Sequence, residues 1–480
     1  MRLKTSHYTS TSMPIFDQKD GQTKLIVFGA RQSKVRAIDT HTWHKISEDQ
    51  FQKVPQNIIN DLLDAEILVT EDEDELKTIL VQNHDEATAY SMLRYMILPT
   101  AMCQLGCSSD YCGQYHTHHM MSEKDQALLI ARIESKLKVH HYKSLNIGWY
   151  GGEPTLGIKA IRQLNYRLIK LAEKYHVEYS SYMITNGVSL GRKMAEELVT
   201  KHYVKSVQVT LDGSAEYHDT RRCTKKGKPT FKKIFQNVVD LAQREDLGEV
   251  KIIIRCNVDY RNRDGILPLL HLIKKMGIHQ RVDMSIAHVQ SWGHDEDKYS
   301  PPPDEFAVWE IEWFLKMKEM GFKLPPLLPA RRKVICIANQ SDSELVDAYG
   351  NLFNCIEVSY VPTYEVASKT GKTSYVPISL VRKMDKTISQ TPVPLTNVFT
   401  LGHLSTGETT GNRSILGSFS QKVQKGQYLC TNCSMLPVCG GACPKHWFDG
   451  NPPCPSTKYN LEERLLLAYA EKRMNKSSAT

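Results

Sequence analysis

Between residues 95 and 290 short β-branched runs alternate with longer amphipathic stretches, and nothing else in this 480-residue chain restricts its fold as much. Strands are predicted at 93–99, 144–150, 179–185, 205–211, 250–257 and 281–288. Helices are predicted between them at 122–138, 157–174, 191–202, 229–243 and 265–276. Such alternation implies βαβ units and a parallel sheet, an α/β fold. Six strands are too few to close an eight-stranded barrel, so an open sheet or partial barrel is expected. Functional groups then belong on the loops that follow the carboxyl ends of the strands.

The flanks read differently. Residues 1–92 form a small α+β unit: strands at 24–28, 35–38 and 67–69, a helix at 57–63, and the acidic helix start Glu71-Asp72-Glu73-Asp74-Glu75. The α/β unit is placed at 93–295. Pro301-Pro302-Pro303 interrupts the pattern, and a helix near 304–320 links 296–335 to a loop-rich region at 336–460. An amphipathic helix and tail occupy 461–480. With 41% hydrophobic and 24% charged residues, composition excludes a mostly disordered chain. The net charge of +8 is dispersed, so nucleic acid is not expected as a partner. The apolar runs, such as Ile252-Ile253-Ile254, are far below the ~18 residues of a membrane span. The basic start has no apolar segment behind it, so a cytoplasmic protein without membrane attachment is expected.

Twelve cysteines complete the reading, ten of them in two groups, which in such a chain points to metal rather than disulfides. The first group, Cys103-Gln-Leu-Gly-Cys107-Ser-Ser-Asp-Tyr111-Cys112, directly follows the first predicted strand of the sheet. Three soft thiolates in ten residues suit an iron–sulfur cluster and leave one iron of a four-iron cluster open for chemistry. Further motifs sit at later strand ends: Trp149-Tyr150-Gly151-Gly152-Glu153-Pro154, then Thr185-Asn186-Gly187, then Thr210-Leu211-Asp212-Gly213 with His218-Asp219 and Arg222. Taken singly these are ordinary turns; together and in order they form a pattern.

That pattern resembles the radical S-adenosylmethionine (SAM) enzymes. The resemblance implies a [4Fe-4S] cluster on Cys103, Cys107 and Cys112, with Tyr111 as the aromatic before the last cysteine. Here four residues separate Cys107 from Cys112, where the family has two. It also implies SAM contacts from Gly151, Gly152, Glu153 and Pro154, with the Glu153 carboxylate accepting from the SAM ammonium. Asn186 and Thr210 follow as further SAM-binding residues, the Thr210 hydroxyl at the SAM carboxylate.

The second group is Cys430-x2-Cys433-x5-Cys439-x3-Cys443 and Cys454, preceded by Cys336 and by Gly350-Asn-Leu-Phe-Asn-Cys355. By itself the 430–454 part is compatible with a zinc or an iron–sulfur knuckle. With Cys336 and Cys355 it resembles the SPASM domain, a carboxyl-terminal extension of radical SAM enzymes that carries two auxiliary iron–sulfur clusters. Its interleaved ligation implies Cys336, Cys355 and Cys443 on an inner cluster, without a fourth cysteine in 337–345. Cys430, Cys433, Cys439 and Cys454 are implied on an outer one. Cys256 reads as a core thiol, Cys223 as a free loop thiol, and His116, His118 and His119 as surface or positioning groups.

The expected fold is therefore α/β, a partial (β/α)6 radical SAM barrel with a small α+β N-terminal domain and a loop-rich SPASM domain. The function the resemblance implies is reductive cleavage of SAM to a 5′-deoxyadenosyl radical that modifies a peptide or protein, above all a ribosomally made precursor peptide. A flavodoxin or ferredoxin is the implied electron donor. The N-terminal unit is a candidate for leader-peptide binding by strand addition. An anaerobic sulfatase maturase, which makes formylglycine, is the first alternative. It is disfavoured because those relatives carry an aspartate where Ile356 stands here, with Glu357 as the candidate base one residue on. A non-catalytic zinc-knuckle binding protein is the alternative from another class.

Overall fold

The computed structural model describes residues 2–18, 20–107, 113–290, 298–367, 395–408 and 413–477. The N-terminal part contains β1 (Leu3–Thr5), β2 (Thr9–Thr11), β3 (Ile15–Asp17), β4 (Gln22–Gly29), β5 (Lys34–Asp39), α1 (Thr40–Ser47), α2 (Gln56–Asp64), β6 (Leu68–Thr70) and α3 (Glu75–Thr88). β4 is the centre of an antiparallel sheet with β2 and β3 along one side and β5 along the other. β5 is thus an edge strand. β1 pairs instead with β6.

Six parallel strands follow: β7 (Met92–Ile97), β8 (Ser144–Trp149), β9 (Glu178–Thr185), β10 (Val204–Thr210), β11 (Lys251–Val258) and β12 (Val282–His288). Each pairs with its neighbour in chain order. The crossovers carry α4 (Glu123–Val139), α5 (Ile158–Lys174), α6 (Arg192–His202), α7 (Ala215–Arg221), α8 (Phe231–Ala242) and α9 (Ile266–Lys275). The mixed α/β class and the parallel sheet agree with the periodicity, and the short α7 is the one crossover helix that periodicity missed.

Sequence dictates these elements simply. The Ser122 hydroxyl accepts from the Asp125 N–H at 3.1 Å and caps α4. Leu129, Ile133 and Leu137 recur every four residues and enter the core against the sheet, each worth about 1.5–3 kcal/mol of burial. Along β10 and β11, Val207, Val209, Ile252, Ile254 and Cys256 take the helix-covered face. The alternate positions Gln208, Thr210, Arg255 and Asn257 take the other.

After α10 (Pro303–Glu319) the chain does not form a separate body. β13 (Glu344–Val346) pairs in parallel with β7, and β14 (Asn351–Phe353) pairs with β13. Two short strands, Gly402–His403 and Gly407–Glu408, complete a ten-stranded sheet. The N-terminal part has one core of its own, around Val27, Ile46, Leu62 and Leu68, and shares a second. Tyr8, Ile26, Phe28 and Ile79 share one apolar cluster with Phe419, Leu436, Trp447 and with Leu461 and Leu465 of the last helix, α11 (Leu461–Ser477).

Candidate active site and thiol clusters

A cavity of about 600 Å³ opens at the carboxyl ends of the parallel strands, and it gathers residues that lie far apart in sequence. Cys103 and Cys107 line it from the loop after β7, Gly151 and Gly152 from the end of β8, Asn186 from β9 and Thr210 from β10. Glu357, Ile356 and Cys454 close it from the carboxyl-terminal region. Tyr111 and Cys112 lie outside the described residues.

Cys103 is buried, which pushes its thiol up to about 11. The Asn186 side-chain amide donates to its sulfur at 3.7 Å. The loop is tied down on both sides: Gly106 N–H donates to the Cys223 carbonyl at 2.9 Å, and the Cys223 thiol donates to the Gly106 carbonyl at 3.7 Å. Cys223 therefore supports the cysteine loop, while Cys256 sits fully inside the core.

The Gly-Gly turn brings backbone close to backbone. Gly151 adopts φ +115°, which favours glycine, and a Cβ on Gly152 would stand 2.4 Å from the Met102 carbonyl oxygen. Glu153 follows this turn. Its carboxylate is fully buried and does not line the cavity. It accepts from Thr155 Oγ1 at 2.6 Å, Thr185 Oγ1 at 2.7 Å and Asn186 N at 2.8 Å. It latches the end of β8 to the end of β9, and burial pushes its carboxyl up. Pro154 opens the 3₁₀ turn Pro154–Gly157 beneath it.

The strand-four motif is also partly scaffold. Asp212 accepts from Asn257 N at 2.9 Å, its own N–H donates to His218 Nδ1 at 3.2 Å, and Asp219 holds the start of α8 through Thr230 and Phe231 N–H. Burial pulls the His218 pKa down to about 4, so the ring is neutral.

Two further sets of thiols appear, each with mutual electrostatic influence. Cys336 and Cys355 are raised by burial first, and then each feels Cys443. Cys430, pushed up to about 12 by burial, feels Cys439, Cys433 and Cys454. Among the described residues no three His, Cys, Asp or Glu side chains stand close enough to clasp one metal ion. The eleven described cysteines are all free of disulfides.

Several cavity residues escaped the sequence reading. Gln208 on β10, and Arg255 and Asn257 on β11, are polar at alternate positions of strands that should be buried on both faces. That alternation was the available signal. His116, expected as a surface or positioning group, lines the cavity, and burial lowers its pKa to about 4. His119 stacks on Tyr349 at 4.0 Å between centroids. Glu357 faces Tyr150, whose hydroxyl donates to it at 3.5 Å, and burial pushes its carboxyl up to about 7.

The site sets a cysteine loop, a glycine turn and polar strand ends around one cavity of a parallel α/β sheet. Comparison with known proteins bears on the fold. Native anSMEcpe with bound AdoMet superposes with a TM-score of 0.54 at 16% identity, covering 81% of this chain and 99% of that chain. The same protein with bound AdoMet and the Cp18Cys peptide gives 0.53 at 16% identity, with 81% and 99% coverage. The likeness to radical SAM/SPASM maturases read in the sequence thus extends to the fold.

In sequence, a serine-type anaerobic sulfatase-maturating enzyme of Bacteroides thetaiotaomicron is 26% identical over 167 residues, 32% of this chain and 38% of that protein. An uncharacterised protein of Synechocystis is 23% identical over 174 residues, 34% of this chain and 42% of that protein. The chain spans about two fifths of the length of these curated relatives. No family model matches it.

Proposed function

We propose that the protein is a radical SAM maturase that modifies a peptide or protein, most plainly a ribosomally made precursor peptide. The observation that carries this is the meeting, in one cavity, of Cys103 and Cys107 with Gly151, Gly152, Asn186 and Thr210 from successive strand ends. We take the six strands as a partial (β/α)6 barrel and residues 93–295 as its extent. Cys103, Cys107 and Cys112 would hold the [4Fe-4S] cluster, and the two other thiol sets the auxiliary clusters. When bound, the first cluster and SAM supply a 5′-deoxyadenosyl radical.

The chain's own residues do the rest. The Gly151-Gly152 backbone lies open to SAM, the Asn186 amide steadies the Cys103 sulfur, and the Thr210 hydroxyl would bind the SAM carboxylate. Glu153 keeps these strand ends in register from below. The cavity walls exclude water from a reactive intermediate. The test is iron and sulfide per chain after anaerobic purification, with 5′-deoxyadenosine release on adding SAM and dithionite. About twelve irons with nucleoside release is the expected result. Zinc without iron would favour a knuckle-binding protein instead.

Peptide specificity has two candidate determinants. β5 offers an unpaired edge for strand addition by a leader segment. Precursor peptide is then expected to slow amide exchange along Lys34–Asp39, and no added protection there removes this role. Glu357 is the candidate base at the reacting side chain, since it lines the same cavity as Cys103 and Cys107. Glu357→Gln is expected to lower product formation about 10²–10⁴-fold, the usual range for general acid–base groups, while leaving nucleoside release unchanged. Equal loss of both would assign Glu357 to SAM binding.

A second reading, a sulfatase maturase, is favoured by the relative in Bacteroides and by the superposed structure. Ile356 next to Cys355 weighs against it, being an apolar side chain where those enzymes carry an aspartate. A sulfatase-derived peptide turned over to formylglycine would decide for it.

A further inference from the structure

A second cavity, of about 760 Å³, lies where α3, the segment after α10 and the carboxyl-terminal region meet. That is within the size range of ligand sites, roughly 300–1,000 Å³. Arg331, Arg332 and Lys333 follow one another along it, together with the apolar Pro329, Met435 and Val438. Glu86, near the end of α3, is the acid among its lining residues. Lys333 is 43% exposed and only loosely paired, 4.0 Å from Glu86, a contact that contributes little in water.

Arg331 is the informative residue. It is half-buried, and all its partners are neutral: Asn83 Oδ1 and the Pro437 carbonyl, both at 2.7 Å, and Gln82 Oε1 at 3.4 Å. Its Nε is buried without a hydrogen-bond partner, and among the described residues no carboxylate pairs with it. Two other buried guanidiniums of this chain are matched. Arg31 meets Glu66, Glu73 and Glu75 at 2.6, 2.8 and 3.2 Å, and Arg221 meets Asp259 at 2.9 Å. A desolvated cation without a counter-charge is costly and attracts an anion. The charge that reaches Cys439 and Cys336 is that of Arg332, so the thiols account for Arg332 and leave Arg331 to be explained.

We propose that this cavity binds an acidic segment of the peptide substrate, with carboxylate side chains at Arg331 and Lys333 and apolar side chains at Pro329, Met435 and Val438. The inference rests on the reading of the protein as a peptide maturase. A guanidinium and an ammonium side by side select carboxylates. The apolar lining suits a peptide, whereas a small oxyanion would leave it uncovered. Pro455 lines both this cavity and the one at the strand ends, so a segment held here neighbours the place of reaction. Binding is non-covalent, and no redox group takes part.

The probe is a fluorescein-labelled hexapeptide that alternates glutamate and leucine, read by anisotropy on full-length protein purified anaerobically. Binding is measured near 20 mM and near 200 mM salt, where the screening length falls from about 20 Å to about 7 Å. Wild type is expected to bind more weakly at the higher salt. It should also prefer this peptide about tenfold or more over the same peptide with glutamine for glutamate. Because Arg331 also ties α3 to the Pro437 carbonyl, the decisive variant is at the exposed Lys333. Lys333→Glu is expected to weaken binding about tenfold, and Arg331→Gln by a similar factor. Glu86→Gln should tighten it roughly two- to threefold. Lys193→Glu on α6 changes the net charge as much as Lys333→Glu does and should match wild type.

Equal affinity of Lys333→Glu and wild type overturns the site. So does equal affinity for the glutamine peptide, and so does full displacement by inorganic phosphate at matched ionic strength, which would mark a site for small oxyanions. Charge-dependent peptide binding without 5′-deoxyadenosine release on adding SAM and dithionite overturns the maturase reading and leaves the site in place. Nucleoside release without charge-dependent binding overturns the site alone.

Discussion

Cys103→Ala is expected to lose 5′-deoxyadenosine release by three orders of magnitude or more, equivalent to about 4 kcal/mol of transition-state stabilisation. It is also expected to lose about four of some twelve irons. The reason is local. Cys103 is buried at 7% exposure, with the Asn186 amide aimed at its sulfur, and alanine has no atom with which to ligate iron. Two comparisons make the result specific. Cys430→Ala should remove a different four irons, about the same number, and leave nucleoside release largely intact. Cys256→Ala, in the core at 0% exposure, should keep all iron and activity. Full iron in Cys103→Ala would show that the loop is not a cluster site.

Glu344→Gln should destabilise the fold by about 3–5 kcal/mol, the range for breaking a buried ion pair. Glu344 lies on β13 at 0% exposure. It accepts from Arg132 at 2.7 and 2.8 Å, from Lys136 at 2.8 Å and from Arg413 at 3.1 Å. Removing its charge leaves Arg132, Lys136 and Arg413 at the seam between α4 and the carboxyl-terminal strands with Glu408, which reaches Arg132 and Arg413, as the remaining carboxylate among these partners. Burial alone would raise its pKa, but the Arg132 hydrogen bonds and the Lys136 and Arg132 charges hold it well below the carboxylate range.

The pH dependence follows from that direction. A carboxyl whose folded pKa lies below its unfolded value of about 4.3 contributes stability that is fully present above about pH 5. The contribution declines as pH falls through 4 toward the folded pKa. Urea unfolding of both proteins at pH 7 and pH 4 checks this: the gap between them should narrow at the lower pH. A loss under about 1 kcal/mol at pH 7, the value of a surface pair, would mean that the seam is held by packing alone.

Much of the parallel sheet was legible because each of its signals is local. Ile252, Ile254 and Cys256 announce a strand by their spacing, and Ser122 announces the start of α4 by its capping hydroxyl. The glycine turn at 151–152 and the cysteine loop were legible for the same reason. What escaped was whatever depends on a distant partner. The Glu153 carboxylate accepts from Thr185 only because β9 brings that hydroxyl to it. His116 sits in a polar loop that reads as surface until the loop folds over Gly152.

The sequence by itself thus determined the α/β class and, α7 apart, the strand and helix positions between 92 and 288. Side-chain periodicity and ligand spacing act over a few residues and survive without knowledge of the rest. The tertiary structure alone decided that β13 continues the parallel sheet beside β7, that the N-terminal strands share a core with the 419–447 region, and that Pro455 lines two cavities. Tyr95 meets Glu344 across some 250 residues of chain. A register over that distance is set by which apolar faces remain uncovered once every nearer contact has formed, and no local pattern records it.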